Sequence, residues 1–74
     1  MEAYLLELVY RGVINEKQYD LLLETKVYKR MSQNEWAEAR GVAHATVRSW
    51  HHRAEMAIRK YEKDRRDRGK ARGT

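Results

Sequence analysis

The stretch MSQNEWAEARGVAHATVRSWHHR, Met31 to Arg53, decides how this chain reads. Ser32 is followed three residues later by Glu35, the S-x-x-E pattern in which two side chains cap each other's backbone at a helix start. A helix over 33–40 follows, with Trp36, Ala37 and Ala39 turned inward. Gly41 ends it, since glycine takes a positive φ without a steric penalty. A second helix starts near His44, where Val47, Trp50, Ala54, Ala57, Ile58 and Tyr61 recur at helical spacing. Two helices joined by a three- or four-residue turn containing glycine form a helix-turn-helix. The motif needs a small residue where its helices cross, and Ala37 provides it. Val42 plugs the turn, and Val47 with Trp50 anchors the second helix.

Outward from this centre the chain stays helical. Asn15 with Gln18 repeats the capping pattern and opens a helix over about 16–29, with Tyr19, Leu22, Leu23 and Val27 on its apolar side. A first helix over about 2–11 carries the stripe Tyr4, Leu5, Leu8, Val9 and stops at Gly12. There is no proline, and no stretch alternates like a strand. After Tyr61 the charged segment EKDRRDRGKARGT could extend the last helix to about Arg66, with disorder expected from Gly69. The fold class is all-α: a small bundle of about four helices containing a helix-turn-helix, with a basic C-terminal extension. Residues 1–61 form the domain and 62–74 a basic, partly disordered tail.

Composition narrows the function. Seventy-four residues make one small domain with a marginal core. Without cysteine there is neither a disulfide framework nor a thiolate zinc site, which fits a cytoplasmic protein. The N-terminus lacks a basic n-region, and its apolar run is too short to span a bilayer. Residues 1–26 carry five acids and three bases; residues 27–74 carry six acids and thirteen bases. A basic half of this kind points to a polyanionic partner, most often nucleic acid. Its bland alternative is a solvated, solubilising surface.

The stretch MSQNEWAEARGVAHATVRSWHHRAEMAIRK resembles the fourth conserved region of bacterial sigma factors, which recognises the −35 promoter element. The likeness rests on Val47–Arg48, the apolar Trp50, Arg53–Ala54 and Ile58–Arg59, and upstream on INEKQYDLLLET. It spans about residues 14–60, and other helix-turn-helix regulators, phage proteins among them, share it more loosely. The resemblance implies a double-stranded-DNA-binding transcription regulator, with RNA polymerase as a further partner. It makes His44, Ala45, Arg48 and Ser49 the base readers. Thr46, His52 and Arg53 fall to phosphates. Three departures imply a different target sequence: Ala43 stands where the family caps with serine or threonine, Arg40 where it has leucine, and Ala45 where it often has a charge. The other sigma regions do not fit in this length, so promoter melting is not expected.

Elementary chemistry leads the same way. A recognition helix sets its N-terminal residues against base edges, and arginine pairs with guanine O6 and N7. Lys29, Arg30, Arg59, Lys60 and Lys63 add candidates for phosphate contact, and each could equally be a solvated surface charge. Trp36 and Trp50 read as core rather than as stacking platforms. His51 and His52 point about 100° apart on a helix and cannot share one metal; His51 with Glu55 lacks a third ligand. No catalytic constellation, metal or cofactor is expected, so the chain does not read as an enzyme. The first helix has more apolar residues than one face needs: Leu6, Tyr10, Val13 and Ile14 besides its stripe. That surplus suggests a homodimer through this helix. The competing class is a helical adaptor that binds polymerase or a phage packaging component without reading DNA. The small size alone hints at a phage or mobile element.

Overall fold

The computed structural model describes residues 2–73, with side chains from Glu2 to Arg66. Four α-helices follow one another: α1 (Glu2–Tyr10), α2 (Glu16–Leu22), α3 (Gln33–Arg40) and α4 (His44–Gly73). Among the described residues there is no strand. The chain is a small all-α bundle.

Both capping boxes form. Asn15 Oδ1 accepts from the Gln18 N–H at 2.8 Å, and Gln18 Oε1 accepts in return from the Asn15 N–H at 2.9 Å. Ser32 and Glu35 do the same at the start of α3, both at 3.1 Å. The ends of α1 and α3 are built alike, and both carry the tripeptide Arg-Gly-Val. Gly12 and Gly41 take φ of 75° and 67°. The valine N–H then reaches back five residues, Val13 to the Leu8 carbonyl and Val42 to the Ala37 carbonyl, each at 2.9 Å. These are Schellman ends, and the valine side chain closes each onto the core.

Helix α2 departs from the expected span of 16–29. From Leu23 to Val27 it widens into a π turn, with the Tyr28 N–H bonded to the Leu23 carbonyl at 2.9 Å. The Thr25 hydroxyl donates to the Leu21 carbonyl at 2.7 Å, beside the change in bonding pattern. Lys29 then ends the run in the left-handed region at φ 55°. Glu24 fastens this exit. Its carbonyl accepts from the Arg30 and Met31 N–H groups, and its carboxylate takes the Arg30 guanidinium at 2.7 and 3.2 Å.

Two apolar clusters hold the bundle, and α2 lies between them. Leu22 joins Leu5, Leu8, Ile14 and Ala54 in the first cluster. Its neighbour Leu21, about 100° round the helix, joins Trp36, Ala37 and Val47 in the second. Leu21 lies off the apolar side that the sequence predicts for this helix, yet it is fully buried. Ala39, expected inward, is exposed. The crossing of α3 and α4 runs through Ala37 and Val47, both at 0% exposure, so the small residue sits where the helices approach. The backbone of α4 is helical over His44–Gly73, past the end expected near Arg66. One interior glycine costs a helix only about 1 kcal/mol, and no proline interrupts the hydrogen bonds.

Candidate nucleic-acid interface

Helix α4 has two faces with different chemistry. Val47, His51 and Ala54 are buried on the inner one, with Trp50, Ile58 and Tyr61 partly so. Opposite them, at about 100° per residue, lie Ala45, Ser49, His52 and Met56, all exposed. Arg48 and Arg59 flank this row on one side; Thr46, Arg53 and Lys60 flank it on the other, with Lys63 continuing the row. The small residues therefore occupy the middle of the first turns, and the cations the margins.

The acids of the same stretch, Glu55 partly buried and Glu62 exposed, lie off the outer row on the side of α1 and the π turn and are engaged. Glu55 accepts from Lys26 Nζ at 2.9 Å and pairs with His51 Nδ1 at 2.7 Å. Glu62 accepts from the Tyr4 hydroxyl at 2.9 Å. The outer face between Ala45 and Lys63 thus carries only cations as charged groups. His51, considered above as a weak metal ligand, is a core residue at 5% exposure. Burial is the main cause that holds its pKa below the ordinary histidine value, with Glu55 opposing and Lys26 assisting. Glu55 is held below the usual carboxylate range, first by its bond from Lys26. Among the described residues no group of three or more histidine, aspartate and glutamate side chains is arranged to hold a metal.

The start of α4 is open. Ala43 stands at the cap position, and its carbonyl takes the first helical bond from the Val47 N–H at 3.1 Å. An alanine has no side-chain acceptor, so the first amides of the helix lack the partner a serine would give. His44 is half buried and lies 3.4 Å from Glu38, across the turn from α3.

The remaining expected contacts are scattered. Arg30 is held by Glu24 and lies over the Tyr28 ring at 4.6 Å, and Lys29 is exposed beside it on the α2–α3 link. His52, expected at phosphates, sits in the middle of the outer row below Ser49. Arg40 pairs with Asp20 and lies over the Trp36 ring at 5.2 Å. Trp36 and Trp50 meet edge to face at 6.4 Å, with Lys17 over the Trp50 ring at 5.3 Å. Both tryptophans serve the bundle, and Trp50 keeps one edge in solvent.

Compared with known protein families, characterised proteins and solved structures, the chain shows no significant match. Among the described residues no helix is long and apolar enough to cross a membrane.

Proposed function

We propose that the chain is a double-stranded-DNA-binding module of the helix-turn-helix kind that lays the outer face of α4 in the major groove and regulates transcription. The observation that carries this is the separation of charge on α4. Arg48, Arg53, Arg59 and Lys60 border the outer row, while Glu55 and Glu62 are held off it by Lys26, His51 and Tyr4. A helix with small residues in the middle and cations along its edges suits a groove about 12 Å wide, whose walls are phosphates. Ala45 and Ser49 let the axis approach the bases. Arg48 then reaches a base edge, and Arg53, Arg59, Lys60 and Lys63 take phosphates on either side. The uncapped amides at His44 and Ala45 face the same way as the helix dipole's positive end, which favours an anion there.

The test is selection of the full chain against a random duplex pool, followed by affinity measurements across salt. Enrichment of a motif, with log K falling steeply against log salt, supports the reading. Retention without any enriched motif reduces it to phosphate binding. No duplex binding at all, together with tight binding to RNA polymerase, would establish the adaptor instead.

A further inference from the structure

Helix α1 buries Leu5 and Leu8 and leaves a second apolar stripe uncovered: Ala3, Leu6 and Tyr10, at i, i+3 and i+7. Tyr10 is 94% exposed and Leu6 55%. Nothing within the described residues covers this stripe, and Tyr10 gains nothing from facing water with a whole ring. We infer that the outer face of α1 pairs antiparallel with the same face of a second copy, and that the pair holds two α4 outer faces turned away from each other.

The stripe is complementary to itself in size. An antiparallel pairing centred between Leu6 and Glu7 sets Ala3 opposite Tyr10 of the second copy, a small residue against a large ring, at both ends of the contact. Leu6 meets Leu6 of the second copy beside the two-fold axis, the arrangement an isologous contact requires. Glu7 meets its counterpart on the other edge, and each is already neutralised by Arg11 at 3.2 Å. The contact is small, on the order of a few hundred Å² per copy against roughly 800 Å² for a standard interface, so the free pair is weak and transient.

The orientation has a consequence for DNA. Leu5 and Leu8 of α1 and Ala54 of α4 bury their inner faces in one cluster, so the outer faces of the two helices diverge. A pair made through α1 leaves both α4 faces open and far apart in direction. It therefore bridges two duplexes, or two distant segments of one, instead of reading adjacent half-sites on one side of a duplex. The pairing itself does not depend on DNA; the bridging rests on the reading proposed above.

Two measurements test them separately. In the free protein, backbone amide shifts are followed from about 0.05 to 1 mM, the range in which so small an interface begins to populate. Concentration-dependent shifts centred on Ala3, Leu6 and Tyr10, absent in Leu6→Lys and in Ala3→Trp, are expected. The second variant adds apolar area but fills the notch opposite Tyr10, so it separates pairing from mere stickiness. Invariant shifts, or shifts centred on another face, overturn the pairing. For bridging, a duplex tethered to beads should capture a labelled free duplex only when the protein is present. Leu6→Lys should lose that capture at least about tenfold, a difference of about 1.4 kcal/mol, while its affinity for a single duplex is unchanged. Equal capture by Leu6→Lys overturns the bridging. Absence of any duplex binding overturns the proposed function and the bridging with it, and leaves the shift titration to judge the pairing.

Discussion

Trp36 is tied to Asp20: the indole Nε1 donates to Oδ2 at 3.1 Å, joining α3 to α2 beneath the turn. The same carboxylate oxygen accepts from Arg40 Nη2, and the Arg40 guanidinium lies over the Trp36 ring. Asp20 is thus the one acceptor for a buried indole and for the cation that covers it.

Removing that acceptor leaves the Trp36 N–H, on a residue only 3% exposed, without a partner. Asp20→Ala should destabilise by about 1–3 kcal/mol, the cost of an unsatisfied buried donor. In a domain of this size each kcal/mol lowers Tm by about 4–8 °C. Asp20→Asn keeps an acceptor for the indole and should cost less. Urea unfolding of the two variants checks the order; equal losses would assign the effect to charge instead.

Acid should weaken the fold through His51. Burial holds its folded pKa below the unfolded value near 6.5. The folded state therefore binds fewer protons, and the stability this contributes is complete above the unfolded pKa and lost as pH falls below it toward the folded pKa. The urea midpoint should be flat from pH 8 to about 7 and fall from about 6.5 downward. In His51→Gln the fall should begin only where Glu55 and the other carboxylates titrate. A wild-type midpoint that is flat through pH 5.5 would contradict this.

The cap missing at Ala43 is a site of easy gain. Ala43→Ser supplies an acceptor for an amide in the first turn of α4 and should stabilise by about 0.5–2 kcal/mol. Gly41→Ala should cost about 1–2 kcal/mol, because its φ of 67° is left-handed. An added Cβ there would touch nothing within 4 Å, so the cost is backbone strain alone, and Gly41→Asn should recover part of it. Thermal unfolding of the three variants reads both effects.

Arg48 and the distal cations should separate in a DNA-binding assay. Arg48→Ala is expected to lose about 1–3 kcal/mol on the selected sequence and to relax choice at one base pair. Equal loss on random DNA would count against its role as a reader. Truncation after Tyr61 should instead make log K against log salt shallower, by close to 0.9 for each phosphate that the shortened chain no longer neutralises.

Much of this fold is visible in the sequence because its signals are local. The two capping boxes, and the glycines of Arg11-Gly12-Val13 and Arg40-Gly41-Val42, mark helix ends within four or five residues. The whole span of α3 follows from them. The end of α2 has no such mark: its left-handed residue is Lys29, not a glycine, and a π turn has no composition of its own. His51 is hidden from the sequence for a related reason. Its inward position follows from the spacing of Val47, Ala54 and Ile58, but its polarity argues the other way until Glu55 and Lys26 stand beside it. Asp20 gives no sign in sequence that it answers a tryptophan sixteen residues on. The outer row of α4 is legible as a set of exposed residues. The engagement of Glu55 and Glu62 away from that row, which leaves cations as the charges along its margins, depends on α1 and the π turn and needs the fold.

The π turn has a meaning in chain length. A ring closed over five residues instead of four holds one residue more than the α-helical path needs, so the segment Leu23–Val27 carries a surplus residue. That surplus sets the rotation at which the chain leaves α2, and with it the reach of Lys26 to Glu55 and of the Tyr28 hydroxyl to Glu2 at 2.6 Å. Deleting one residue there should restore an ordinary helix and leave the direction of the chain beyond it nearly unchanged, because the wide turn takes up the surplus within about one turn. A relative of this protein one residue shorter between Leu22 and Ser32 should therefore end α2 as a plain α-helix and keep the same bundle, at the expense of the Lys26–Glu55 or Tyr28–Glu2 contact.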